Sequence, residues 1–187
     1  MSPLKQILRV FIVTGLLTLP IDQWTKDFAR EQYLIHEDTA DTTIYQGRRD
    51  ELLAKKFGDN WLTVNLTYVR NHGASWGVMK DLSEDFRRPV LILMGLVLTA
   101  AFLWAAVRFQ LAGLNNSATA LTLLSAGAVG NFLDRIRLGY VVDLVTIRSG
   151  LAGHTWSLPA FNVADIIIVL GLFYLLTTIV LSSNQKN

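Results

Sequence analysis

The chain has 187 residues, of which 51% are hydrophobic, with a mean hydropathy of +0.36 and a formal net charge of +2. That apolar content is gathered in a few unbroken runs, which points away from an ordinary soluble domain and toward a small polytopic membrane protein. The small charge gives no electrostatic footprint for nucleic acid, and the absence of cysteine excludes disulfides, thiolate metal sites and a cysteine nucleophile.

The first apolar run follows Lys5 and Arg9. A charged front before an apolar stretch is the pattern of a cleaved signal peptide, but no small-x-small cleavage site follows and DQWTK continues instead. The run is therefore predicted to be a transmembrane helix over about residues 7–29. Asp22 and Lys26 stand four apart near its exit, on one face, an acid placed to pair with a base. Two readings stay open for them, an ion pair anchoring the helix end at the interface and a functional role.

Residues 31–88 are polar. Within them, residues 37–60 read as an exposed excursion with a short helical stretch at 50–57. WLTVNLTYVRN follows, where Leu62, Val64, Leu66 and Tyr68 alternate with Thr63, Asn65 and Thr67, a period of two that predicts a half-buried β-strand. It ends in NHGASWG, whose Asn71, Gly73 and Gly77 supply turn chemistry, and taken alone Asn71 reads as a turn residue. Tyr68 and Trp76 suit a membrane–water boundary.

Pro89 opens a second span at about 89–108, without a charge until Arg108. A third span is expected at about 117–137; its small residues, among them Ser125, Gly127 and Gly130, mark the central helix of a bundle. A fourth runs over about 161–182. Four spans place both ends of the chain on one side, and Lys5, Arg9, Arg108 and Lys186 favour the cytoplasmic side, the basic residues of the long loop being discounted.

Polar residues intrude where spans should carry none, between residues 127 and 165, and such groups at membrane depth are a functional-site hypothesis by default. Asn131, Asp134 and Arg135 share one helix face at i, i+3 and i+4. Asn162 and Asp165 are three apart, with Asp165 in a first helical turn where the helix dipole favours a carboxylate. Asp143 lies in GYVVDLV, a short extended segment just beyond the third span. The topology lets Asp143 and Asp165 converge at one membrane face. Two such carboxylates can activate water and protonate a carbonyl oxygen without metal or nucleophilic side chain, as in aspartic peptidases. Other uses stay open: Asp134 paired with Arg135 or Arg137, a transporter or lipid-binding protein with Arg135 and Asp165 as a buried polar pair, or a purely structural membrane subunit.

The order DQWTK, NHGASW, GNFLDR with GYVVD, then FNVAD, each at the boundary of a predicted span, resembles the bacterial lipoprotein signal peptidase family, signal peptidase II. The resemblance covers nearly the whole chain. It implies a mainly α membrane protein, a four-helix bundle with a small extracytoplasmic β-structured cradle lying on the membrane surface and a long polar loop, in one integral membrane domain. It implies an aspartic endopeptidase of the bacterial inner membrane, needing no cofactor or metal, that cleaves the signal peptide from diacylglyceryl-modified prolipoproteins on the N-terminal side of the lipidated cysteine. The implied dyad is Asp143 and Asp165. Asn71, Asn131, Arg135 and Asn162 are implied to hold substrate and dyad in register, with Asp22, Lys26 and Asp134 as support. Membrane lipid is the expected surrounding partner and a monomer the expected state. Leu144 stands where the family usually has phenylalanine, and the excursion at 37–60 is longer than in a typical member.

Overall fold

The computed structural model describes residues 3–33, 50–73, 79 and 82–184. Four long helices occupy the places of the four predicted spans: α1 (Pro3–Tyr33), α2 (Glu84–Leu111), α3 (Asn115–Leu138) and α4 (Val163–Asn184). Four strands lie between them: β1 (Asp50–Phe57), β2 (Asn60–Asn71), β3 (Val141–Leu151) and β4 (His154–Ser157).

Among the described residues three helices are long and apolar enough to cross a membrane, Lys5–Tyr33, Glu84–Leu111 and Val163–Leu181. The exception is α3. It packs against α1, α2 and α4 and buries Ser117, Ala120, Ser125, Ala126, Gly127 and Gly130, so its walls are other helices and it needs little apolar surface of its own. A Cβ at Gly127 would come within 2.8 Å of the Ala164 carbonyl, and one at Gly130 within 2.8 Å of Asp22 Oδ2. Only glycine lets α4 and the Asp22 side chain approach that closely.

Two predicted boundaries move. Helix α2 starts at Glu84, five residues before Pro89, with Glu84 and Asp85 in its first turn where carboxylates favour a helix start. Residues 50–57, expected to be helical, form β1 instead. Gly58 and Asp59 close a two-residue hairpin in which Phe57 pairs with Asn60, and Gly58 at φ +61 takes the position that a type II′ turn gives to glycine. That turn places Leu53 and Lys55 opposite Val64 and Leu62, and the pairing overrides the local helical pattern.

The sheet is an antiparallel meander in the order β1-β2-β3-β4. The predicted strand is present as β2, although its burial does not simply alternate: Asn65, Thr67 and Tyr68 are the buried residues, and the register shifts between Leu66 and Val69. Tyr68, expected at a membrane–water boundary, is wholly buried in a cluster with Ala29, Tyr33, Val142 and Leu144, its hydroxyl 2.9 Å from that of Tyr140. Trp76 and Gly77 lie outside the described residues, as do residues 37–49 of the excursion.

Beyond β4 the chain doubles back along β3. The Leu158 N–H donates to the Ile147 carbonyl, and Phe161 and Val145 exchange backbone hydrogen bonds of 3.0 and 3.1 Å. This return path delivers the start of α4 to the side of β3 that carries Asp143.

Candidate active site

Strand periodicity aims the first carboxylate. Val142 and Leu144 enter the core between the sheet and the end of α1, so Asp143, between them, points to the opposite face. Its Oδ2 accepts from Asn71 Nδ2 at 3.0 Å and its Oδ1 from Asn162 Nδ2 at 2.8 Å. Asn71 is the last residue of β2, and its own oxygen accepts from the Gly73 N–H at 3.1 Å, so the turn role and the site role coexist in one side chain.

The second carboxylate is aimed by a helix cap. Asn162 is expected on the fourth helix but stands immediately before it, and its Oδ1 accepts from the Asp165 N–H at 3.0 Å. In return Asp165 Oδ2 accepts from the Asn162 N–H at 3.1 Å. This reciprocal pair is a capping box that satisfies two otherwise orphaned donors of the helix start. Asp165 Oδ1 is left for Asn131 Nδ2, at 2.7 Å. All four oxygens of the two carboxylates thus face donors, and Asn162 touches both residues.

Behind the pair lies a second polar layer, nearly sealed from the surroundings. Lys26 Nζ lies 2.8 Å from Asp22 Oδ2, 3.0 Å from Asp134 Oδ2 and 3.2 Å from Asn131 Oδ1, and Asp22, Lys26 and Asp134 are 1–2% exposed. The Asp22–Lys26 ion pair read from the sequence is present, and it is buried. Asp134 does not pair with Arg135 or Arg137: its ion pair is with Lys26, and it accepts at 3.1 Å from the Val142 N–H, which ties α3 to β3. Asp22 Oδ1 accepts from the Ala164 N–H at 2.9 Å and so adds a second carboxylate to the start of α4.

Arg135 is brought to the same place, where its guanidinium donates to the Gly73 carbonyl at 3.2 Å and to the Asn131 carbonyl at 3.3 Å. The nine residues singled out from the sequence therefore meet in one network. Two participants were not foreseen. Gln23 donates to Asp22 and to Asp134 and accepts from Arg137, and the Gly73 carbonyl takes the Arg135 guanidinium. The position of Gln23 beside Asp22 in DQWTK was the available signal for the first; the second, a backbone acceptor, leaves no mark on the sequence.

Asn71, Asn131, Arg135, Asp143 and Asp165 form the polar end of a cavity of about 660 Å³. Its apolar walls come from α2, through Leu91, Met94 and Leu98, and from α4, through Ile166, Val169 and Leu170. Burial first, and then the nearby Asp165 charge, push the Asp143 carboxyl up to about 7, against the opposing hydrogen bonds from Asn71 and Asn162. A carboxyl poised near neutrality beside a second one can hold or release a proton at working pH, which is the chemistry of acid–base hydrolysis.

Known proteins resemble this chain over most of its length. The sequence profile of the family described as Signal peptidase (SPase) II matches residues 14–181. The lipoprotein signal peptidase of Syntrophus aciditrophicus is 28% identical, over 98% of this chain and 100% of its own length. That of Moorella thermoacetica is 30% identical, over 94% and 96%. A bacterial membrane enzyme solved by the in meso method at 2.3 Å superposes with a TM-score of 0.57 at 25% identity, covering 95% of this chain and 91% of that one. A second, solved at 1.9 Å, gives 0.55 at 26% identity over 90% and 91%.

Proposed function

The chain belongs to the signal peptidase II family, and from that premise we propose that Asp143 and Asp165 are the catalytic dyad of its peptidase reaction. It is a membrane aspartic endopeptidase that removes signal peptides from lipoproteins. The observation that carries the dyad is the bridge made by Asn162: its amide donates to Asp143 Oδ1 and accepts from the Asp165 backbone, at the polar end of a cavity whose walls suit an apolar peptide.

A signal peptide is itself an apolar helix, and the wall residues Met94, Leu98, Ile166 and Val169 are exposed on the bundle surface, so the cleft between α2 and α4 gives it lateral access from lipid. One carboxylate acts as base toward water while the other protonates the carbonyl oxygen, and the two exchange a shared proton whose apparent pKa values belong to the pair. Asn71, Asn131, Arg135 and Asn162 hold the extended substrate backbone and the dyad in register; Asp22, Lys26 and Asp134 support them from behind. The substrate is a diacylglyceryl-modified prolipoprotein cut on the N-terminal side of the lipidated cysteine.

All four helices cross the inner membrane as one domain, with both chain ends cytoplasmic and the dyad near the outer face. Support for α3 as a span comes from its length and from the helices that enclose it. The protein acts as a monomer within lipid. A transporter built on an Arg135–Asp165 pair is disfavoured, because the Arg135 hydrogen bonds go to the Gly73 and Asn131 carbonyls.

The test is cleavage of a purified diacylglyceryl-modified precursor. Asp143→Asn and Asp165→Asn should each lower turnover by at least about 10²–10⁴-fold while the protein stays inserted and folded. Normal cleavage by either variant would sink the dyad assignment.

A further inference from the structure

A buried amide chain connects Lys26 to both carboxylates, and its direction is set at both ends. An ammonium has three protons and no acceptor. Lys26 donates to Asp22 Oδ2 and to Asn131 Oδ1 and forms an ion pair with Asp134 Oδ2. The oxygen of Asn131 must therefore face α1, and its NH₂ must face Asp165. Were the amide turned over, its NH₂ would meet the Lys26 ammonium and the Asn162 NH₂, and its oxygen would meet Asp165 Oδ1. Three contacts would turn repulsive at once. Asn162 takes its sense from the helix cap, where its oxygen accepts from the Asp165 N–H, and its NH₂ lies 3.0 Å from Asn131 Oδ1 and 2.8 Å from Asp143 Oδ1.

We propose that Lys26 is a positioning residue of the peptidase reaction, which together with the Asn162 NH₂ holds the Asn131 oxygen, so that Asp165 Oδ1 faces a donor. The inference rests on the reading of Asp143 and Asp165 as that dyad. A carboxylate that faces donors keeps its base form without a proton of its own, whereas an acceptor turned toward it demands one. Lys26 thereby decides how low the pH can fall before the base is lost. The charged groups around the dyad are Asp22 and Lys26 from α1, and Asp134 and Arg135 from α3; α2 presents only apolar residues to the cavity.

The decisive variant is Lys26→Met combined with Asp22→Asn. It removes one positive and one negative charge together, so the net charge behind the dyad is kept, and the Asn131 oxygen is left held by the Asn162 NH₂ alone. Turnover and KM for a diacylglyceryl-modified precursor would be measured against pH, beside Lys26→Arg, with thermal unfolding in detergent as the check on folding. The double variant should show the acid limb of its turnover profile moved up by about one pH unit, a tenfold change in proton affinity, with KM within about twofold. Lys26→Arg, which keeps a donor-only cation, should hold the limb where the wild type has it. A folded double variant whose profile is lowered uniformly without moving would overturn the proposal, and so would loss of the fold in both variants, which would assign Lys26 to the fold alone. An active Asp165→Asn enzyme would instead sink the dyad reading, so the two failures are separable.

Discussion

Asp22 and Asp134 share the ammonium of Lys26, whereas Asp143 and Asp165 are met by uncharged donors, Asn71 and Asn162 for the first and Asn131 and the Asn162 backbone for the second. Both carboxylate pairs are largely buried, and they lie in one continuous hydrogen-bond network. The first pair has a cation to compensate its charge and backbone amides of β3 and α4 to hold, so it joins elements. The second is given hydrogen-bond donors without charge, so its negative charge remains a cost and a proton remains welcome. Burial supplies the same raw material in both places; the nature of the third group decides between a brace and a reagent.

Removing the cation is the harshest way to break this contrast. Lys26→Met leaves two carboxylates buried without their counter-ion and should cost about 3–5 kcal/mol of folding stability, read from unfolding in detergent. A variant as stable as the wild type would mean that the two pairs do not differ as described.

A subtler test acts on the other pair. The Asp143 carboxyl is held near 7 in the folded protein against an ordinary 3.8. Between those values the folded state retains a proton that the unfolded chain has released, so stability falls as pH rises from about 4 to about 7 and stays reduced above that. Asp143→Asn removes the charge but sets its new NH₂ against one of the two donors, Asn71 or Asn162. It should therefore stabilise the protein by only about 1–2 kcal/mol at pH 8, and the gain should vanish near pH 4. A gain of the same size at both pH values would remove ionisation as its cause.

The smallest effect is expected at the surface. Arg137 lies 3.9 Å from Asp27 with both side chains about half exposed, and Asp27→Ala should change stability by no more than about 0.5 kcal/mol. A larger loss would show that the ordinary discount for exposed ion pairs does not hold at this end of the bundle.

What could be read beforehand follows from the range of the forces involved. Apolar runs gave the long helices, and the small residues of the third marked it as the helix the others enclose, because both are local patterns that burial acts on directly. The nine residues that meet in the polar network were legible through motifs at the ends of those runs. Strand β1 was not, since DELLAKKF has no alternating pattern of its own and follows its partner strand across the Gly58–Asp59 turn. Asn162 was misplaced by one position because FNVAD was read for charge and not as a capping box. Tyr68 looked like a boundary residue because its hydroxyl partner, Tyr140, lies far along the chain. Partners of that kind are fixed by tertiary packing, and no window of sequence contains both.

The capping box at the start of α4 bears on the order of events during synthesis. Helix α4 follows every other element in the chain, and its first turn, capped by Asn162 and Asp165, is also met by α1 through Asp22, by α3 through Asn131 and by β3 through the Asn162–Asp143 contact. A ribosome producing the chain from its N-terminus has already released both hairpins and three helices before the second carboxylate exists. The order of the chain thus leaves the Asn162–Asp165 end of the network to be closed last.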